Sequence, residues 1–332
     1  MSGAWEAVNA RARGLAAHLL SPDRLSRLAR CGDVPEVARE LSNSPYGAFI
    51  GPGDRGPAEL EGAVTRSVGE RLAVLARWTH PDGVQLAPVF LEFDAQAVRD
   101  IVRGTVGALA PDQRLAGAIP TPTLGRRALE ALARSDTPAR AAAALVAWGH
   151  PLGSPLLDEA SRAHPDLFRL EGAISRATGR ACSRAARRGG SAMRRFVQDG
   201  IDARNVVVAL LLVQARAEAD PAALWAEGGR TLRHGAFARA ARAGDWTEGA
   251  AVLGEALRGT PFGEVLRTGP FTPVSVASRL DEARIEQATR SARAEPLTAL
   301  PSIVFVLRLR KEARLVRRAL WTAALAGGGG GR

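Results

Sequence analysis

The chain has 332 residues, 46% of them hydrophobic but only 5% aromatic, and a formal net charge of +11 carried almost wholly by arginine, since Lys311 is the sole lysine. Its longest apolar run, Val206 to Val213, falls far short of the roughly 20 residues that span a bilayer, and the opening MSGAWEAVNARARG lacks the apolar centre of a signal peptide. Cys31 and Cys182 form no CxxC or Cys/His set, which argues against a disulfide framework or structural zinc and fits a reducing, cytoplasmic compartment.

Ala, Leu and Arg dominate and β-branched runs are few, so an all-α protein is expected. In chain order, Ala4 to Leu20 predicts a helix, and Ser21-Pro22-Asp23 starts the next with proline in its first turn. Asp33 and Glu36 have capping-box spacing and open a short helix ending near Ser44-Pro45-Tyr46-Gly47. After the loop GPGDRGP, a long helix is expected from Pro57 to Trp78, a turn at His80-Pro81-Asp82-Gly83, and a second long helix from Pro88 to Leu109. The order then recurs. Leu124 to Arg134, a helix opened by Thr137-Pro138 and closed at Pro151-Leu152-Gly153, and two long helices from near Pro165 through Leu212 make the second pass. Leu232 to Arg242, the capping box Asp245 to Glu248, Thr260-Pro261-Phe262-Gly263 and the long pair Pro273 to Arg293 and Pro296 to Leu325 make the third.

The three passes share residues in register. LEGAVTR at Leu60, LEGAISR at Leu170 and LDEARIE at Leu280 are spaced by 110 residues, and PYG, PLG and PFG end at Gly47, Gly153 and Gly263. In the second long helices Asp94, Asp202 and Glu312 align, each followed four residues later by Val98, Val206 or Val316. Such self-similarity marks internal repeats, drawn at about 5–110, 111–218 and 220–325, with a flexible tail at 326–332. Three units of this size can close into a ring or funnel, or stay open as a superhelix.

Each aligned acid interrupts an apolar stripe: Phe305, Leu309, Glu312, Val316 and Leu320 share one face of the closing helix, with Arg310, Arg314, Arg317 and Arg318 opposite. A buried carboxylate there must be paired, hydrogen-bonded or protonated. With no second titratable group beside each acid, the expected role is structural: tying its helix to an arginine or a helix N-terminus. No catalytic constellation emerges. His18, His80, His150, His164 and His234 contain no HExxH pair, three of them precede proline as turn residues do, and the Gly51 to Gly56 loop lacks a P-loop lysine. No catalytic, cofactor or metal residue is therefore assigned. Two arginine clusters, Arg176 to Arg195 and Arg308 to Arg318, offer charged helix faces to solvent, an acidic partner or nucleic acid, though aromatics for base stacking are sparse around them.

The N-terminal NARARGLAAHLLSPDRL, the TPFG ending, the mid-chain DARNV and the terminal LRKEARLVRRAL together resemble the C (AC39) subunit family of V-type/A-type ATPases, whose eukaryotic vacuolar members are also known as the d subunit. The likeness runs from about Val8 to Trp321. In the closing helix Leu315-Val316-Arg317 replaces the family's Asn-Leu-Arg, so a hydrogen bond from Asn is lost there, whereas Asn205 keeps it in the middle copy. The resemblance implies one domain built of three pseudo-symmetric helical bundles arranged as a funnel or socket. It further implies a non-catalytic central-stalk coupling subunit, without cofactors, that joins the stalk to the proteolipid (c/K/L) ring for proton or other ion transport. Such a protein is present in one copy of a hetero-oligomeric complex, peripheral on the cytoplasmic face of the membrane, with no nucleic acid bound. Arg310, Lys311, Arg314, Arg317 and Arg318 are the expected partner contacts. The alternative reading is a helical-repeat scaffold that binds nucleic acid or an acidic protein through its arginine faces.

Overall fold

The structure, a computed structural model, describes residues 4–79, 83–163, 165–215, 220–268 and 272–328. Residues 80–82 of the expected turn, His164 and the last four residues of the tail lie outside these. Seventeen α-helices and no strand occur among the described residues. The first four are α1 (Ala4–Ala16), α2 (Pro22–Leu28), α3 (Val34–Ser42) and α4 (Pro57–Thr79). They are followed by α5 (Ala87–Val106), α6 (Pro111–Leu115), α7 (Arg126–Ala133), α8 (Pro138–Ala147), α9 (Gly153–Ala160) and α10 (Leu167–Ala186). Next come α11 (Gly190–Ala215), α12 (Pro221–Leu224), α13 (His234–Ala241), α14 (Trp246–Ala256) and α15 (Pro261–Arg267), before the closing pair α16 (Pro273–Ala294) and α17 (Leu300–Gly328). α17 thus continues three residues into the segment expected to be a flexible tail.

The short helices start where local chemistry says they should. Asp33 accepts the Glu36 N–H at 2.8 Å while Glu36 reaches back to the Gly32 N–H at 2.9 Å, and Asp245 and Glu248 repeat this with the Glu248 and Gly244 N–H groups, both at 2.8 Å. These bonds satisfy donors that a helix start leaves unpaired. The glycines of PYG, PLG and PFG are required by close approach: a Cβ at Gly47, Gly153 or Gly263 would run into the backbone of Ser42, Val146 or Leu257. The residue before each, Tyr46, Leu152 or Phe262, is buried.

Apolar burial divides into three cores. The second joins the C-terminal part of α5, helices α7 to α9 and the first half of α10; the third joins the later part of α11, helices α13 to α15 and the first half of α16. The remaining core takes α1 to α4 together with α17, and also collects the adjoining ends of α5, α10, α11 and α16. The two ends of the chain therefore share one core. Leu60, Leu170 and Leu280, the aligned leucines, are all buried, as are Val98, Val206 and Val316, each worth about 2 kcal/mol by transfer from water. Polar ties reinforce the closure: Asn9 of α1 donates to the Pro296 and Thr298 carbonyls at 3.0 and 2.9 Å and accepts from Ser302 Oγ at 2.7 Å.

Candidate functional site

The aligned acids occupy equivalent places. Each projects from a long helix and holds the chain just before a short one, α7, α13 or α2, but each does so with different donors. Asp202 on α11 accepts three successive backbone N–H groups ahead of α13, from Arg230 (3.0 Å), Thr231 (2.7 Å) and Leu232 (3.3 Å). Gly229 is required beside it, because a Cβ there would overlap Asp202 Oδ1. Burial pushes the Asp202 carboxyl above the usual range, and the three N–H bonds pull it only part of the way back. Asn205, one turn on, donates to the Ala226 carbonyl at 2.8 Å and accepts the Ala226 N–H at 3.1 Å, so the DARNV segment fixes the same loop twice.

Asp94 on α5 is held ahead of α7 by side chains instead. Thr121 and Thr123 hydroxyls donate to its two oxygens, both at 2.5 Å, and His150 Nε2 lies 3.1 Å from Oδ2. His150 Nδ1 accepts the Leu152 N–H at 3.4 Å, which assigns the ring proton to Nε2 and makes it the donor to Asp94. On α17, Glu312 accepts the Leu20 N–H at 2.5 Å, ahead of α2, and the Tyr46 hydroxyl at 2.7 Å, with Arg71 Nη1 at 3.6 Å. The Arg71 guanidinium also lies over the Tyr46 ring, 5.1 Å from its centroid. Burial raises the Glu312 carboxyl despite these partners, and burial followed by the neighbouring Glu312 charge raises the Tyr46 phenol well above its ordinary value.

The expectation that no titratable group stands beside these acids is therefore corrected at two of them, by His150 and by Tyr46 with Arg71. His150 is a buried partner of Asp94 as well as a turn residue, because the turn before Pro151 carries its ring back onto α5. An arginine side chain pairs with Glu312, whereas Asp94 and Asp202 take the hydroxyl, imidazole and backbone donors described above.

Sequence comparison within the chain missed a fourth carboxylate. Glu92, on α5, accepts a bidentate pair from Arg284 of α16 (2.9 and 2.6 Å) and a third bond from Arg310 of α17 (2.6 Å). Arg284 in turn stacks over Phe196 of α11, 4.3 Å from the ring centroid, and passes Gly200, where a Cβ would come within 2.6 Å of its Nη2. One junction thus links four long helices that belong to all three cores. Burial alone would raise the Glu92 carboxyl, but the Arg284 and Arg310 charges more than reverse this and hold it well below the usual carboxylate range.

Of the expected partner contacts, Arg310 is committed to Glu92 and lies 3.7 Å from Asp281, and Arg314 pairs with Asp281. Arg317 donates to Thr65 Oγ1 at 2.9 Å and lies 3.5 Å from Glu61, while Lys311 pairs with Glu282 at 2.8 Å. Arg318 is exposed. In the other basic cluster, Arg180, Arg184, Arg187 and Arg194 border a shallow groove near the α10–α11 turn. Among the described residues no group of three or more His, Cys, Asp or Glu side chains could hold a metal ion, and no helix is long and apolar enough to cross a membrane.

Fold and polar interior together define an all-α protein whose buried charges join helix to helix. The chain belongs to the ATP synthase (C/AC39) subunit family, which it matches over residues 8–323. It is similar to the C subunit of the A-type ATP synthase of Halorubrum lacusprofundi, 24% identical over 326 residues that cover 94% of this chain and 91% of that one. A second similar protein, the A-type ATP synthase C subunit of Haloquadratum walsbyi, is 24% identical over 330 residues covering 94% and 92% of the two chains.

Proposed function

We propose that this protein is a non-catalytic coupling subunit of a rotary A/V-type ATPase, set between the central stalk and the proteolipid ring on the cytoplasmic face of the membrane, one copy to a hetero-oligomeric complex. The observation that carries the reading is the family match across nearly the whole chain, 8–323. The interior is consistent with it. A part that transmits torque needs helices that do not slide, and Asp94, Asp202, Glu312 and Glu92 each bind one element to another through short, wholly or partly buried hydrogen bonds. The three aligned acids are structural in this reading, so ion translocation is the work of other components of the complex. Three helical bundles around a common axis, forming a socket for the stalk, complete the proposal. With Arg310, Lys311, Arg314 and Arg317 each engaged by a group of this chain, the exposed Arg318 is, of these five residues, the one best placed to meet a partner.

The test is co-purification of the tagged full chain from native membranes, with the partners identified by mass spectrometry. Recovery of stalk and proteolipid proteins is expected. Their absence, together with binding to DNA or RNA whose affinity falls steeply with salt, would replace this reading by the scaffold alternative.

A further inference from the structure

The Glu92 junction borders a cavity of about 330 Å³ between α5, α11, α16 and α17. Its wall carries six arginines against only two carboxylates, Glu92 and Asp281. Those two acids are spent on Arg284, Arg310 and Arg314, and Arg317 has Thr65 and Glu61. Arg99 and Arg204 are left over. Arg99, half-buried, has one side-chain bond, from Nη2 to Ser175 Oγ at 3.0 Å. Arg204, also half-buried, makes neither a side-chain hydrogen bond nor an ion pair among the described residues. Burial and then the Arg204 charge push the Arg99 guanidinium down to about 10. Two like charges thus face one cavity with no carboxylate in an ion pair with either; Glu171 and Asp100 act on Arg99, and Glu92 and Arg204 attract each other, only at longer range, so the repulsion between the two guanidinium groups is incompletely offset.

We propose that this cavity is a binding site for a multivalent phosphate-type oxyanion, held between Arg99 and Arg204. Guanidinium groups present planar pairs of N–H donors that match phosphate oxygens, and the bonds are charge-assisted on both sides. A water occupies about 30 Å³ in the liquid, so the cavity has room for phosphate with its waters or for a diphosphate. The site is formed by this chain alone and is independent of its assembly into a rotary complex.

The experiment uses the purified full chain, titrated calorimetrically and melted with inorganic phosphate, diphosphate or ADP, each at ionic strength held constant with sodium chloride. A saturable heat and a saturable rise in Tm are expected, and the anion that binds tightest tells a free phosphate from a nucleotide's. Arg204→Gln should weaken binding at least tenfold while leaving the Tm of the free chain little changed, since Arg204 makes no hydrogen bond or ion pair among the described residues. Arg99→Gln should weaken binding similarly, and Arg308→Gln, on an exposed part of α17 outside the cavity, should leave it intact. Absence of saturation, or equal binding by wild type and Arg204→Gln, would overturn the proposal in favour of diffuse attraction to a basic surface.

Discussion

Replacing Asp202 by alanine isolates one clamp. The carboxylate is the acceptor for three backbone N–H groups, and its loss leaves those of Arg230, Thr231 and Leu232 without a partner. An unsatisfied buried donor costs about 1–3 kcal/mol. The first two sites are only partly buried and the third is buried, so water can replace some of what is lost. Removal also relieves the desolvation that raises the Asp202 carboxyl. The net loss is about 3 kcal/mol. With unfolding entropy of about 2.1 cal/mol/K per residue, a chain of 332 residues changes by roughly 0.7 kcal/mol per degree, which gives a drop of about 4 °C in Tm. Thermal melting by circular dichroism reads the total, and hydrogen exchange across 228–234 reads the site, where the three amides should lose protection. An unchanged Tm with protected amides would refute the clamp. So would intact melting with selective loss of ion pumping in the assembled complex, because the acid would then be acting on the ion.

Three further outcomes follow from the same geometry. Gly229→Ala should destabilise at least as much as Asp202→Ala, and far less when built on Asp202→Ala, where the carboxylate it strikes is gone; a thermal double-mutant cycle measures this, and additive losses would count against steric conflict. Thr121→Val should cost about 3 kcal/mol and Thr123→Val about 2 kcal/mol in urea unfolding, because Thr121 Oγ1 also accepts the Leu124 N–H at 2.9 Å; the reverse order would contradict the assignment. Glu92→Gln should lose about 4 kcal/mol at pH 7 by breaking a buried pair. Since the folded state holds this carboxyl below its unfolded value of about 4.3, the unfolded chain takes up the proton first, and the wild-type advantage is present above that value and fades as pH falls from about 5 towards 2. The gap between the urea midpoints of the two proteins should narrow as pH falls from 7 to 3, and a constant gap would exclude the linkage.

Much of this was legible in the chain, for reasons that differ between residues. Asp33, Thr137, Asp245 and Thr260 announce helix starts because a cap bonds within its own next turn. Asp94, Asp202 and Glu312 stood out by comparison of one part of the chain with another. Their partners did not, because Thr121 lies 27 residues from Asp94 and Leu20 lies 292 from Glu312, and the three sets of donors differ in kind. His150 and Tyr46 sit inside or beside the PLG and PYG motifs, so those motifs were the available signal. Glu92 was hidden by the comparison itself: two residues before the acid, the other copies carry Gly200 and Arg310, and only packing shows that Gly200 leaves the space Arg284 crosses to reach Glu92.

Sequence by itself determined the helical class, the starts of the short helices, the register shared by three stretches and the burial of one acid in each. These depend on interactions within a turn or two of helix, or on the choice between apolar and polar faces, and such information is carried locally. Tertiary structure alone decided that the last helix joins the first four in one core, that Asn9 ties the N-terminal helix to the final hairpin, and that Glu92, Arg284 and Arg310 meet beside a cavity with arginines to spare. Contacts between residues hundreds of positions apart have no local signature, because they arise only when every intervening helix has found its place.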